Sequence, residues 1–241
     1  MLTSQGRTRI AFLGGRGPRA AHYDALDALV PPGVELATER LSLWREPPEN
    51  LAEAEDLYVA RAVALVQEHR WEGVALTGAP NQVLYPAALG RIGSAVDVSV
   101  TAPLDACAAA LHALGVRRTL LLTPFDAAMN QRVKERLTAA GIDAVLPAAS
   151  FSSIEEAAGM GPEAVYDLAR DALDAAPGVE GIYFQGARLD PLPVLERIER
   201  DFDRPVVASN PAMLWYLLGK LGQRHHVEQG GRLLREWPAL D

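Results

Sequence analysis

The 241-residue chain holds one cysteine, Cys107. A lone thiol makes no internal disulfide, no thiolate metal site and no pair of catalytic thiols. Basic residues are in deficit: 23 Lys and Arg stand against 31 Asp and Glu, for a formal net charge of −8. Non-specific binding to nucleic acid or to an anionic membrane surface usually shows as a basic excess, so neither partner is expected. No apolar run approaches the ~20 residues that span a bilayer. The first apolar piece, residues 10–13, has the length of a strand rather than of a signal peptide core. The expected location is cytoplasmic. The five histidines have no cysteine or carboxylate at ligand spacing, so no metal site is expected. Neither a G-x-x-x-x-G-K-[ST] phosphate loop nor a G-x-S-x-G nucleophile elbow occurs.

What is present is an ordinary globular composition, 49% hydrophobic and 22% charged. Short β-type runs alternate with longer helical ones. Strands are predicted at 9–13, 34–41, 73–76, 96–100, 118–122, 144–148, 181–184 and 206–208. Most are continuous apolar runs, as expected of parallel strands covered on both faces. Helices are predicted at 18–29, 51–68, 104–114, 127–140, 162–175, 192–202 and 211–221. In the fourth of these, Met129, Val133 and Leu137 recur every four residues and form one apolar face. Gly115 and Gly141 follow their helices as stops. This alternation specifies an α/β fold with helices on both sides of parallel sheet.

An internal repeat refines the picture. Residues 74–80 (VALTGAP) resemble residues 182–188 (IYFQGAR), so that Gly78 maps onto Gly186, 108 residues later. The same offset takes Thr101 to Ser209 and Pro103 to Pro211. Two pseudo-symmetric lobes follow, each a parallel four-stranded sheet flanked by helices. The first comprises residues 1–115 with a C-terminal return of residues 205–241. The second comprises 116–204, and a ligand cleft lies between them. Parallel α/β sheets bind ligands at the carboxyl ends of their strands, so the site candidates are strand-end residues.

These features resemble the aspartate/glutamate racemase superfamily, in its arylmalonate decarboxylase and maleate cis-trans isomerase branch. The likeness rests on the Leu-Gly-Val-Arg-Arg entry at 114–118 and on Thr123-Pro124-Phe125 with Asn130. It rests also on Ser209-Asn210-Pro211-Ala212 with Trp215, and on Gly230-Gly231-Arg232-Leu233-Leu234. The resemblance implies a two-lobed fold and a carbanion or enediolate intermediate next to a carboxylate. In that superfamily racemases and maleate isomerases carry a strand-end cysteine in each lobe, and arylmalonate decarboxylases keep only the second. Here both positions are glycine, Gly78 and Gly186. Ala79-Pro80 replaces a Thr-Ser pair, and Phe125 a tyrosine. Cys107 lies in an Ala-rich helix and reads as a buried structural thiol.

The expected chemistry is therefore a cysteine-independent lyase or isomerase step on a small carboxylic acid, with no cofactor. Gly78, Gly186, Gln185 and Tyr23 are the catalytic candidates, the glycines through backbone N–H groups that stabilise an oxyanion. Gly15, Arg16, Arg40, Thr77, Asn81, Thr123, Phe125, Arg188, Ser209 and Asn210 are the substrate-binding candidates. Arg40 resembles an arginine of the maleate isomerases, and arginines suit bidentate carboxylate binding. His22, Tyr85, Glu39 and Asp190 are further acid–base candidates. Asp190, before Pro191, also reads as a helix N-cap, and Arg188 as its ion-pair partner. Trp44 sits in a connector that could close over a cleft. Two other readings stand beside this one. A non-catalytic small-molecule binding protein would explain the missing thiols. A nucleotide-dependent enzyme would explain Gly15-Arg16-Gly17 with Glu39 about 20 residues on. Aliphatic helix faces suit a homodimer.

Overall fold

The structure, a computed structural model, describes residues 7–14, 22–41 and 50–240, with residues 22–24 described by backbone alone. The first half runs β1 (Thr8–Gly14), α1 (His22–Asp27), β2 (Val34–Arg40), α2 (Leu51–His69), β3 (Gly73–Leu76), α3 (Ala79–Leu84), α4 (Ala88–Ala95) and β4 (Ser99–Thr101). Next come α5 (Pro103–Ala113), β5 (Arg118–Leu122), α6 (Ala127–Ala139) and β6 (Asp143–Val145). The chain continues with α7 (Ile154–Ala158), α8 (Pro162–Asp174), β7 (Gly181–Phe184) and α9 (Leu195–Phe202). It closes with β8 (Val206–Ala208), α10 (Ser209–Lys220) and α11 (Gly231–Glu236).

The strands form two four-stranded parallel sheets with the same topology, β2-β1-β3-β4 and β6-β5-β7-β8. All four residues of β3 and all four of β7 are buried, which is why both read as unbroken apolar runs. The predicted strands at 73–76, 118–122, 181–184 and 206–208 match the observed bounds. That at 96–100 shifts to Ser99–Thr101, because β4 pairs with β3 only from Ser99. The strand predicted at 144–148 contracts to Asp143–Val145, where its pairing with β5 lies.

Helix ends follow local chemistry. Asn50 accepts from Ala52 N at 3.0 Å to open α2, and Asp126 accepts from Met129 N at 2.8 Å to open α6. Pro103 and Pro162 start α5 and α8 at positions whose N–H groups have no intrahelical partner. The Met129 face packs as predicted, with Val133 and Leu137 fully in the core.

The core has three parts. One cluster fills the outer face of the first sheet, against α2 and α4. Another fills the outer face of the second, against α8 and α9. The third lies between the sheets and joins Ile10, Phe12 and Ala75 of the first to Leu121, Tyr183 and Val207 of the second. Its filling comes from α5 and α10, which pack on each other. Each is also exchanged: α5, which follows β4, touches β8, and α10, which follows β8, touches β3 and β4. β8, which the expected return from residue 205 includes, pairs with β7 in the second sheet, whereas α10 packs on β3 and β4 of the first.

Candidate active site

In each sheet the strand order reverses between the first and third strands in sequence, β1 and β3 in one and β5 and β7 in the other. Such switch points open a crevice at the carboxyl ends, where α/β sheets take ligands. Gly78 follows β3 at the first switch point and Gly186 follows β7 at the second. The elements leaving these ends, α3 and α6, touch across the lobes.

Both glycines adopt the same unusual backbone, φ +93° at Gly78 and +95° at Gly186, a region that L-residues with a Cβ rarely enter. A Cβ on Gly78 would stand 3.2 Å from the Asn81 amide nitrogen, at the end of a movable side chain. A Cβ on Gly186 would stand 3.0 Å from both Cγ and Cδ of Pro124 and 3.4 Å from Phe125. The second position is thus walled by a ring that cannot swing away. Neither turn is shaped to carry a side chain, and both leave the backbone bare.

The neutral candidates divide by where their polar atoms go. Thr77 donates to Leu13 O at 3.2 Å, which ties β3 to β1 at the switch point. Asn81 donates to Thr77 O at 3.4 Å and lies over Gly78. Thr123 donates to Asn130 Oδ1 and accepts from Phe125 N at 3.0 Å, while Asn130 donates to Phe125 O at 3.1 Å. This buried knot fixes the 123–125 loop that walls Gly186, and it occupies the Thr123 hydroxyl. Gln185 is almost fully buried, and its oxygen accepts from Tyr183 beneath the Gly186 turn. Ser209 and Asn210 open α10 and share a pocket with Gly186.

Two small pockets occupy matching places. One adjoins Gly186, Asp190, Ser209 and Asn210. The other adjoins Asn81 and Gln82 and is closed by Tyr58 and Tyr85, whose rings lie 5.3 Å apart. Burial raises the Tyr58 phenol well above its ordinary pKa. Tyr58 escaped the sequence reading because it sits among the apolar positions of α2, with nothing local to mark it as pocket-facing.

Asp190 does not cap a helix. Residues after it form a turn, α9 starts only at Leu195, and Asp190 Oδ1 accepts from Leu192 N at 3.0 Å within that turn. Arg188 is exposed and forms no ion pair with Asp190 among the described residues. Arg40 is exposed at the end of β2. Gly15, Arg16 and Trp44 lie outside the described residues, as do the rest of the 15–20 glycine segment and the side chains of His22 and Tyr23. Among the described residues no cluster of three potential ligands could hold a metal ion, and no helix is long and apolar enough to cross a membrane.

Cys107 lies far from a reactive setting. It is fully buried in α5, in hydrogen-bond contact with Tyr183, and burial pushes its thiol up to about 12.

The model of the arylmalonate decarboxylase family matches residues 52–234, most of the chain. The chain belongs to the arylmalonate decarboxylase family. Solved structures agree on the fold. A crystal structure of arylmalonate decarboxylase is 24% identical, with 95% of this chain and 99% of that one covered and a TM-score of 0.79. The maleate isomerase Iso from Pseudomonas putida S16 is 16% identical, with the same coverage and a TM-score of 0.81. The maleate cis-trans isomerase of Nocardia farcinica, bound to TRIS, is 22% identical over 95% and 98%, with a TM-score of 0.77. No curated protein matches by sequence. The matched segment includes both glycine turns.

Proposed function

We propose that the protein is a cysteine-independent lyase acting on a small carboxylic acid, through an enediolate-type anion and without metal or cofactor. The observation that carries this reading is the pair of positive-φ glycines at the two switch points, the positions that the resemblance matches to the superfamily's thiols. Family membership supports decarboxylase or isomerase chemistry on such acids. Loss of CO₂ from a malonate leaves an electron pair on carbon that is delocalised into the remaining carboxylate. That anion needs hydrogen-bond donors aimed at its oxygens and an acid for its carbon. The N–H of Ala79 after Gly78 and those of Ala187 and Arg188 after Gly186, with the side chains of Asn81, Ser209 and Asn210, supply donors where the backbone approaches most closely. Arg40 or Arg188 would hold a remote carboxylate from the rim.

Proton NMR in D₂O over a panel of malonates, maleate and aspartate tests the reading. Loss of a carboxyl with deuterium entering the α-carbon is expected for a malonate. Absence of turnover and of α-deuteration across the panel would overturn it. The loss of both thiols also suits a binding protein, for which ligand-induced thermal stabilisation without any change in the ligand is the expected signature.

A further inference from the structure

Asp190 is the one ionisable side chain, among the described residues, that lines the pocket beside Gly186. The chain doubles back to bring it there: Leu189 N donates to Gly186 O at 3.1 Å, and Asp190 follows. One carboxyl oxygen accepts from Leu192 N, which fixes the side chain. The other has no hydrogen-bond or ion-pair partner among the described residues. The 108-residue repeat puts Gln82 at the same place in the first lobe, lining the matching pocket. Gln82 accepts from Leu104 N at 2.9 Å, and its amide nitrogen is buried without a partner among the described residues. The two lobes are thus chemically unequal where their backbones agree. One presents a carboxyl and the other a carboxamide, which does not exchange protons as an acid or base near neutral pH.

We propose that Asp190 delivers the proton at the Gly186 side, and that the site is therefore a one-sided lyase rather than a racemase. The proposal deepens the lyase reading and rests on it. Inversion at carbon needs an acid and a base on opposite faces, whereas decarboxylation needs a single donor. In the step, the bond between the α-carbon and the departing carboxylate breaks. CO₂ leaves and its electron pair stays on carbon. A C–H bond then forms with the proton of the Asp190 carboxyl, whose O–H bond breaks. The carboxylate so formed regains a proton from water, and one proton is consumed per turnover. Burial raises the Asp190 pKa, which keeps a fraction protonated at higher pH than an exposed aspartate allows. No charged side chain among the described residues faces it across the pocket; its neighbours Ser209 and Asn210 are neutral, and Arg188 on the same turn is exposed.

The test uses the full chain with phenylmalonate as probe, comparing wild type with Asp190→Asn and Asp190→Ser. Both variants keep an oxygen for the Leu192 N–H. A fall in kcat of about 100-fold or more, as removal of a general acid gives, is expected with KM within a few-fold and melting temperature retained. The wild-type loss of rate at high pH should vanish from the residual activity. Should one variant fail to fold, the other gives the same readout. Wild-type turnover with unchanged kcat and pH profile in the variants would overturn Asp190 alone. No turnover by the wild type on any malonate would overturn the lyase reading and this proposal with it.

Discussion

At Gly186 the backbone sits at φ +95° with the Pro124 ring 3.0 Å from where a Cβ would go, and at Gly78 the same φ meets only a swinging amide. Strain from the backbone alone, of order 1–3 kcal/mol for a residue with a Cβ, applies to both. Only Gly186 adds a clash with a rigid ring. Urea denaturation should therefore show Gly186→Ala destabilised more than Gly78→Ala; equal losses would mean that Pro124 yields freely. That these glycines occupy matched strand-end turns was legible in the sequence, because the repeat aligns them and a matched strand precedes each. Their conformation was not legible, since identical residues at strand ends adopt many backbones. Asp190 misled local reading for a definable reason: Asp-Pro fits a helix start, but the following residues close a turn around Leu192 N instead.

Among the elements, α9, β8 and α11 are joined by one carboxylate. Glu199, 3% exposed, accepts from Val206 N at 2.9 Å and from Arg232 N at 2.8 Å, with Arg235 3.9 Å away. The junction leaves no room for a side chain at Gly231, where a Cβ would stand 2.3 Å from Leu195 and 3.1 Å from Glu199. Glu199→Ala strands two N–H groups and should cost about 2–6 kcal/mol, given ~1–3 for each buried donor left unpaired. Burial, the largest influence, raises the Glu199 pKa over the opposing N–H donors. The native state then holds this proton to higher pH than the unfolded chain does. Its favourable contribution is complete below the ordinary glutamate value and is lost as pH rises through the raised one. Relative to Glu199→Gln, wild-type stability measured by urea titration should decline across that window. A difference that grows with pH would contradict this. The glycine pair was legible as a motif, whereas its partner Glu199, 32 residues earlier, carried no signal beyond being a charge on a helix.

Over the whole molecule, continuous apolar runs revealed both sheets, since strands covered on two faces have no polar face to interrupt them. The exchange of α5 and α10 between the lobes was only partly legible. A repeat shows that two halves are alike, but not which helix fills the space between their sheets. That shared core decides the fate of the single cysteine. Cys107 lies in it beneath Tyr183, sealed from solvent, with its thiol pushed up to about 12. The fold thus buries its one thiol and leaves glycines at the two switch-point turns proposed as the site. The most direct measurement is malonate turnover in D₂O by the Cys107→Ser chain, which contains no cysteine at all. The account predicts decarboxylation with α-deuteration at the wild-type rate; wild-type turnover that disappears in the cysteine-free chain would contradict it.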